Sequence, residues 1–115
     1  MGIIIYHNPR CSKSRQTLSL IREQGHTPKI IEYLKEPPSV SEILNILSLL
    51  ELEPRAILRT KEEPYKELNL SNLDLTVNQL VEAIANNPIL MERPIVINGN
   101  KATIGRPPEN VLPIL

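Results

Sequence analysis

A single cysteine, Cys11, stands between a short apolar run, Ile3-Ile4-Ile5-Tyr6, and a segment of helical pattern that begins at Ser12. A strand-to-helix junction exposes unpaired backbone N–H groups and the positive end of the helix dipole, and both favour a thiolate over a thiol. Arg10, Lys13 and Arg15 add positive charge, and no Asp or Glu occurs between Met1 and Arg22. The pattern points to an activated nucleophile rather than an inert buried cysteine. The same N-terminus, with Ser12, Ser14 and the flanking bases, suits a tetrahedral oxyanion of the phosphate or sulfate kind. Arginine presents a fixed fork of donors to such an anion. Three further arginines, Arg59, Arg93 and Arg106, fall at the ends of expected regular elements, where a pocket would use them. One cysteine permits no internal disulfide and no cysteine-rich zinc site, so no metal is expected.

The elements that must hold these residues follow from periodicity. Gly2–Tyr6 is a continuous β-branched run, the pattern of a buried strand. Ser12–Gln24 reads as a helix with Ser14, Thr17, Leu18 and Ile21 on one face and Gly25 as its stop. Lys29–Tyr33 is a second strand, so the first unit is strand, helix, strand with parallel pairing. Ser39 and Glu42 have capping-box spacing ahead of a stripe of Ile43, Leu44, Ile46, Leu47 and Leu50. A short helix from Pro54 to about Leu58 and one helical turn over Tyr65–Leu68 follow. Thr76 and Gln79 open another helix, with Leu80, Val81 and Ile84 inward and Pro88 as its end. The segment from about 37 to 88 is therefore expected to be an all-helical insertion. Pro94–Ile97 and Lys101–Ile104 flank Asn98-Gly99-Asn100, a hairpin signal centred on Asn-Gly. Pro107–Leu115 is expected to form a terminal helix. Pro94 opens a central strand, where proline is otherwise unwelcome, and a cis peptide after Arg93 would explain it. The order β-α-β, helical insertion, β-β-α is α/β and thioredoxin-like, in one domain over residues 1–115.

Composition narrows the function classes. Lys and Arg total 13 against 13 Asp and Glu, leaving no basic field for duplex nucleic acid. Aromatics are 3%, with no Trp or Phe, which argues against base stacking and requires a core of Leu, Ile and Val. No run reaches the roughly 20 apolar residues of a membrane span. The N-terminal run is shorter than a signal-peptide core, and Tyr6 stands where a myristoylation signal needs Ser or Thr. The expected location is cytoplasmic, with no nucleic-acid or membrane partner.

The run Tyr6-His7-Asn8-Pro9-Arg10-Cys11-Ser12-Lys13-Ser14-Arg15 resembles the active-site loop of glutaredoxin-dependent arsenate reductases of the ArsC family. The resemblance continues in order through Tyr33-Leu34, Pro37-Pro38, Leu58-Arg59, Glu63-Pro64-Tyr65, Pro88-Ile89-Leu90, Arg93-Pro94-Ile95-Val96 and Gly105-Arg106-Pro107. It implies that Cys11 attacks arsenate to give a thiol–arsenate adduct. Glutathione, a co-substrate rather than a bound cofactor, then displaces the adduct, and glutaredoxin resolves the mixed disulfide as arsenite leaves. It also implies that Arg59, Arg93 and Arg106 bind the oxyanion and that His7 helps to stabilise the thiolate. Supporting roles fall to Ser14, either as a donor to the sulfur or as a helix-start residue, to Arg15, and to Pro94 through a cis bond beside the cysteine; for His7 the alternative is a purely structural loop hydrogen bond. Ser12-Lys13 replaces the Gly-Thr pair of the plasmid-type enzymes, which also extend past Leu115, so the chain is more similar to shorter chromosomal relatives.

Two other readings use the same fold. Regulators of the Spx type bind RNA polymerase and commonly carry CxxC as a redox switch; here Ser14 replaces the second cysteine. A glutathione-dependent monothiol oxidoreductase without arsenate activity would need the same thiolate in the same positive pocket.

Overall fold

The computed structural model describes residues 2–115. Its packing divides the chain into two compact units, one of residues 1–36 and 93–115 and one of residues 37–92. The first unit carries a four-stranded sheet of β1 (Ile3–His7), β2 (Lys29–Glu32), β3 (Ile95–Asn98) and β4 (Lys101–Ile104) in the order β2-β1-β3-β4. β1 pairs parallel with β2, as the strand-helix-strand order predicts, and antiparallel with β3. The arrangement is the thioredoxin-like α/β fold expected from the element order.

Between β1 and β2 runs α1 (Ser12–Glu23), with Ser14, Thr17, Leu18 and Ile21 buried as predicted. Its end has a cause in Gly25, whose φ of 85° is a left-handed conformation that L side chains rarely adopt. With Gly25 there, the N–H of His26 reaches back to Ile21 O and that of Gly25 to Arg22 O, a Schellman closure. Ile3 and Ile5 of β1 and Val96 of β3 pack with Leu18 and Ile21 of α1 and with Val111 of the C-terminal segment. Each such side chain contributes about 1.5–3 kcal/mol by leaving water.

Three departures from the sequence reading have clear physical causes. β2 stops at Glu32, whose carbonyl accepts from both Lys35 and Glu36, and this turn takes the fully buried Tyr33 out of the strand. The hairpin turn is Gly99-Asn100, because Asn98 pairs with Lys101. Positive φ falls at Gly99 first, the pattern of a type II′ turn rather than one centred on Asn-Gly. The C-terminal segment is a 3-10 helix over Pro108–Ile114, with Pro107 ahead of it and Pro113 inside it. Pro113 has no N–H to give to the carbonyl four residues before it, so an α-helix could not continue through it.

The 37–92 unit is helical: α2 (Val40–Leu50), α3 (Glu63–Glu67) and α4 (Val77–Asn86), with 3-10 turns at Pro54–Ile57 and Pro88–Leu90. Both expected capping boxes form, Ser39 with Glu42 and Thr76 with Gln79. Ile43, Ile46 and Leu47 of α2 and Leu80, Val81 and Ile84 of α4 are buried, whereas Leu44 is exposed and Leu50 half-buried, so the α2 stripe is narrower than expected. Arg55 ties the loop after α3 by donating to Leu70 O and Asn72 O, both at 2.8 Å. No helix among the described residues is long and apolar enough to cross a membrane.

Ile5 has no exposed surface, whereas Ile30 on the edge strand β2 keeps 38%. Ile5→Ala should therefore cost about 2–5 kcal/mol of unfolding free energy. Ile30→Ala should cost clearly less, as read by urea denaturation of both variants.

Candidate functional site

The loop between β1 and α1 is built by its own sequence. Asn8 and Pro9 occupy the first two positions of a β-turn that the Cys11 N–H closes onto Asn8 O at 3.0 Å. The Asn8 side chain supports it by accepting from the Arg10 N–H at 3.0 Å, an Asx turn. The turn delivers Cys11 to the N-cap of α1 in an extended conformation, and its carbonyl takes the first helical hydrogen bond from Arg15. The cysteine is only 9% exposed, and no acidic residue occupies the first turn of α1.

The sheet register brings two of the arginines to this loop. Ile95 pairs with Ile104, and the Gly105 N–H continues the ladder to Pro94 O at 2.9 Å, so Arg93 and Arg106 stand opposite one another at the hairpin's open end. Tyr6 pairs with Ile95, which sets the end of β1, and hence the Cys11 loop, at that same edge. Arg106 Nη2 lies 3.4 Å from Cys11 Sγ while its Nε donates to Arg93 O at 2.7 Å. The Arg93–Pro94 peptide is cis, as expected from the sequence; Arg106–Pro107 is cis as well, which the sequence reading did not anticipate.

These neighbours set the thiol's acidity. Burial pushes the Cys11 pKa up, but the Ser14 backbone N–H, the hydrogen bond and charge of Arg93 and the charge of Arg106 outweigh it. The net pKa is below the ordinary thiol value. The Ser14 amide acts as a dipole directed at the sulfur, since the Cys11 side chain closes no capping hydrogen bond. Arg93 keeps its charge despite burial, supported by Cys11 and by the phenol of Tyr33.

Several expected residues sit elsewhere. The charges acting on the sulfur are not Arg10, Lys13 and Arg15. Arg15 instead donates to Pro9 O at 3.0 Å in an exposed position, although it lies one helical turn from Cys11. The Ser14 hydroxyl does not donate to the sulfur: it accepts from the Asn8 N–H at 3.0 Å and lies 2.6 Å from His7 Nδ1. Position 14 faces inward under the loop, which accounts for these partners. His7 is not among the groups that lower the thiol. Burial lowers its own pKa, Glu32 opposes that, and Arg22 and Arg15 reinforce it, so the ring is neutral at pH 7. A hydroxyl that accepts from Asn8 and donates to the neutral ring satisfies both atoms.

Arg59 belongs to the 37–92 unit. Its Nε meets Glu62 Oε2 at 3.2 Å and its Nη1 meets Glu92 Oε1 at 2.8 Å. A bridge between Leu58 and Met91, flanked by hydrogen bonds from Arg59 N to Leu90 O and from Glu92 N to Ile57 O, holds the two chains that carry this pair. Sequence reasoning assigned no role to Asn8, Tyr33, Thr17 or Gly105. Only Asn8 had a local signal, in the Asn-Pro dipeptide that opens a turn.

A buried, acidified thiol with two guanidiniums can hold a thiolate and receive an oxyanion beside it. The ArsC family model matches residues 6–114. The chain belongs to the ArsC family. An arsenate reductase of Haemophilus influenzae is 54% identical, with 100% of each chain covered. One of Neisseria meningitidis serogroup A is 47% identical over 98% of this chain and 97% of its own. The solved structure of an arsenate reductase from Vibrio cholerae superposes with a TM-score of 0.97 at 52% identity, covering 100% of this chain and 98% of that one.

Two measurements probe this ArsC-family site. Arg106→Ala should raise the Cys11 pKa, read as thiolate absorbance against pH, while Arg15→Ala should leave it in place. For His7, the unfolded chain takes up a proton near pH ~6.5 while the folded chain resists it. That contribution to stability is complete above this pH and declines as pH falls below it. The fall in melting temperature between pH 7 and 5 should therefore be shallower in His7→Gln than in the wild type.

Proposed function

We propose that this chain is an arsenate reductase in which Cys11 is the nucleophile. The observation that carries the reading is the contact of Arg106 Nη2 with Cys11 Sγ at 3.4 Å, beside Arg93 and at the start of α1. The thiolate attacks arsenic(V) and a S–As bond forms as an oxygen leaves as water or hydroxide. The thiol of glutathione attacks the Cys11 sulfur, and the S–As electron pair passes to arsenic. Arsenite departs and a Cys11–glutathione disulfide remains. A glutaredoxin thiolate then attacks the glutathione sulfur, taking the glutathionyl group as its own mixed disulfide and releasing Cys11 as the thiol. With one cysteine in the chain, the second electron-donating sulfur must come from outside, which favours an external thiol such as glutathione.

Arg93 and Arg106 would hold the arsenate oxygens by charge-assisted hydrogen bonds. The family resemblance gives Arg59 an oxyanion-binding role too; its own partners are Glu62 and Glu92. His7 would act through Ser14 and Asn8, fixing the loop that presents the sulfur. A lone activated thiol suits the reducing cytoplasm.

A coupled assay tests this by following NADPH oxidation with glutathione, glutathione reductase, glutaredoxin and arsenate. Turnover should depend on arsenate and vanish in Cys11→Ser, because a hydroxyl at neutral pH is a far poorer nucleophile than a thiolate. Arg93→Ala and Arg106→Ala should each lower kcat/KM by roughly ten- to a hundredfold, the value of one hydrogen bond to a charged group. Turnover of a glutathionylated disulfide without arsenate dependence would replace this reading by that of a monothiol oxidoreductase.

A further inference from the structure

Gly105 precedes Arg106, and the fold leaves no space there for a side chain. Its φ is not in the left-handed region, so backbone freedom is not what demands glycine. Space is. A Cβ at 105 would lie 2.7 Å from Thr17 Oγ1, 2.9 Å from Thr17 Cγ2 and 2.9 Å from Pro94 Cγ. None of these atoms is the loose end of a long side chain. Thr17 is fully buried on α1, and its one hydroxyl proton is shared between Lys13 O at 2.8 Å and Gly105 O at 3.3 Å. Pro94 is buried at the start of the neighbouring chain, where its carbonyl receives the Gly105 N–H. The backbone at 105 is therefore pinned from both sides by close contact and by hydrogen bonds.

We propose that Gly105 and Thr17 are positioning residues that seat the end of β4 flush against α1, so that the next residue, Arg106, reaches both Cys11 Sγ and Arg93 O. A side chain at 105 has to push the 105–106 backbone away from α1. Arg106 spans two fixed points, at 3.4 Å and 2.7 Å, and a shift of its Cα by a fraction of an ångström breaks at least one of them. This inference rests on the Cys11–Arg106 contact used in the functional reading, but not on the identity of the substrate.

The test is the pKa of Cys11, which the Ser14 amide, Arg93 and Arg106 lower and which a purely structural role for Gly105 would not move. In Gly105→Ala the thiol should titrate higher than in the wild type, and its alkylation by iodoacetamide at pH 7 should slow, by up to about tenfold for each unit of rise. Adding Thr17→Ala removes two of the three close atoms and should bring the pKa part of the way back, a coupling expected only of residues in contact. If Gly105→Ala does not fold, Thr17→Ala alone carries the test. It only removes atoms, suits a helix, and frees the Gly105 carbonyl, so the thiol should again titrate higher. A folded Gly105→Ala with the wild-type thiol pKa overturns the proposal, as does an unchanged pKa in Thr17→Ala where that variant stands alone. Failure of the wild type to turn over arsenate would instead overturn the functional reading and leave this one intact.

Discussion

A cysteine that is nine-tenths buried can carry a charge on its sulfur only if the protein supplies what the water no longer does. Desolvating a lone anion costs several kcal/mol. At Cys11 the cost is offset from two directions: the α1 N-terminus with the Ser14 amide on one side, the guanidiniums of Arg93 and Arg106 on the other. The surrounding construction serves that balance. The Asn8–Cys11 turn orients the sulfur, His7 and Ser14 fill the space beneath it, and the bond from Arg106 Nε to Arg93 O keeps the two cations from separating under their own repulsion.

The second requirement is register. Side chains alternate across a strand, so a one-residue slip in the β3–β4 ladder would exchange the faces of every residue on one strand. Arg106 would then point away from Cys11. The type II′ turn at Gly99-Asn100 sets the register at one end, and the Gly105 N–H bond to Pro94 O closes it at the other. The neighbouring β1–β3 ladder pairs Val96 with Ile5 in the core and Ile95 with Tyr6, so core packing also fixes where β3 stands relative to the Cys11 loop. A site placed on paired strands in this way is held more firmly than one carried on loops.

The 37–92 unit follows a different logic. Its helices begin at capping boxes that satisfy their first N–H groups locally, and its loops are tied by Arg55 to backbone carbonyls. The short bridge between Leu58 and Met91 places Arg59 beside Glu92, and the two half-buried side chains pair at 2.8 Å. An arginine held by two carboxylates has its guanidinium fixed in orientation.

The local features were legible because their causes are local. Gly25 ends α1 through a left-handed φ, Ser39 and Thr76 cap helices through bonds three residues long, and Pro94 marks a cis peptide by standing where a strand begins. Cys11 could be recognised as a helix-start cysteine from the apolar run before it and the helical pattern after it. Which charges act on that sulfur was not legible. Proximity in sequence favoured Arg10, Lys13 and Arg15, yet those side chains stand exposed to solvent, and Arg93 and Arg106 take the place. Short-range patterns determine where elements start, stop and turn, because those choices depend on hydrogen bonds and dihedrals within a few residues. Only the paired strands decide that residue 106 meets residue 11, because that contact depends on register, and register is a property of two segments at once.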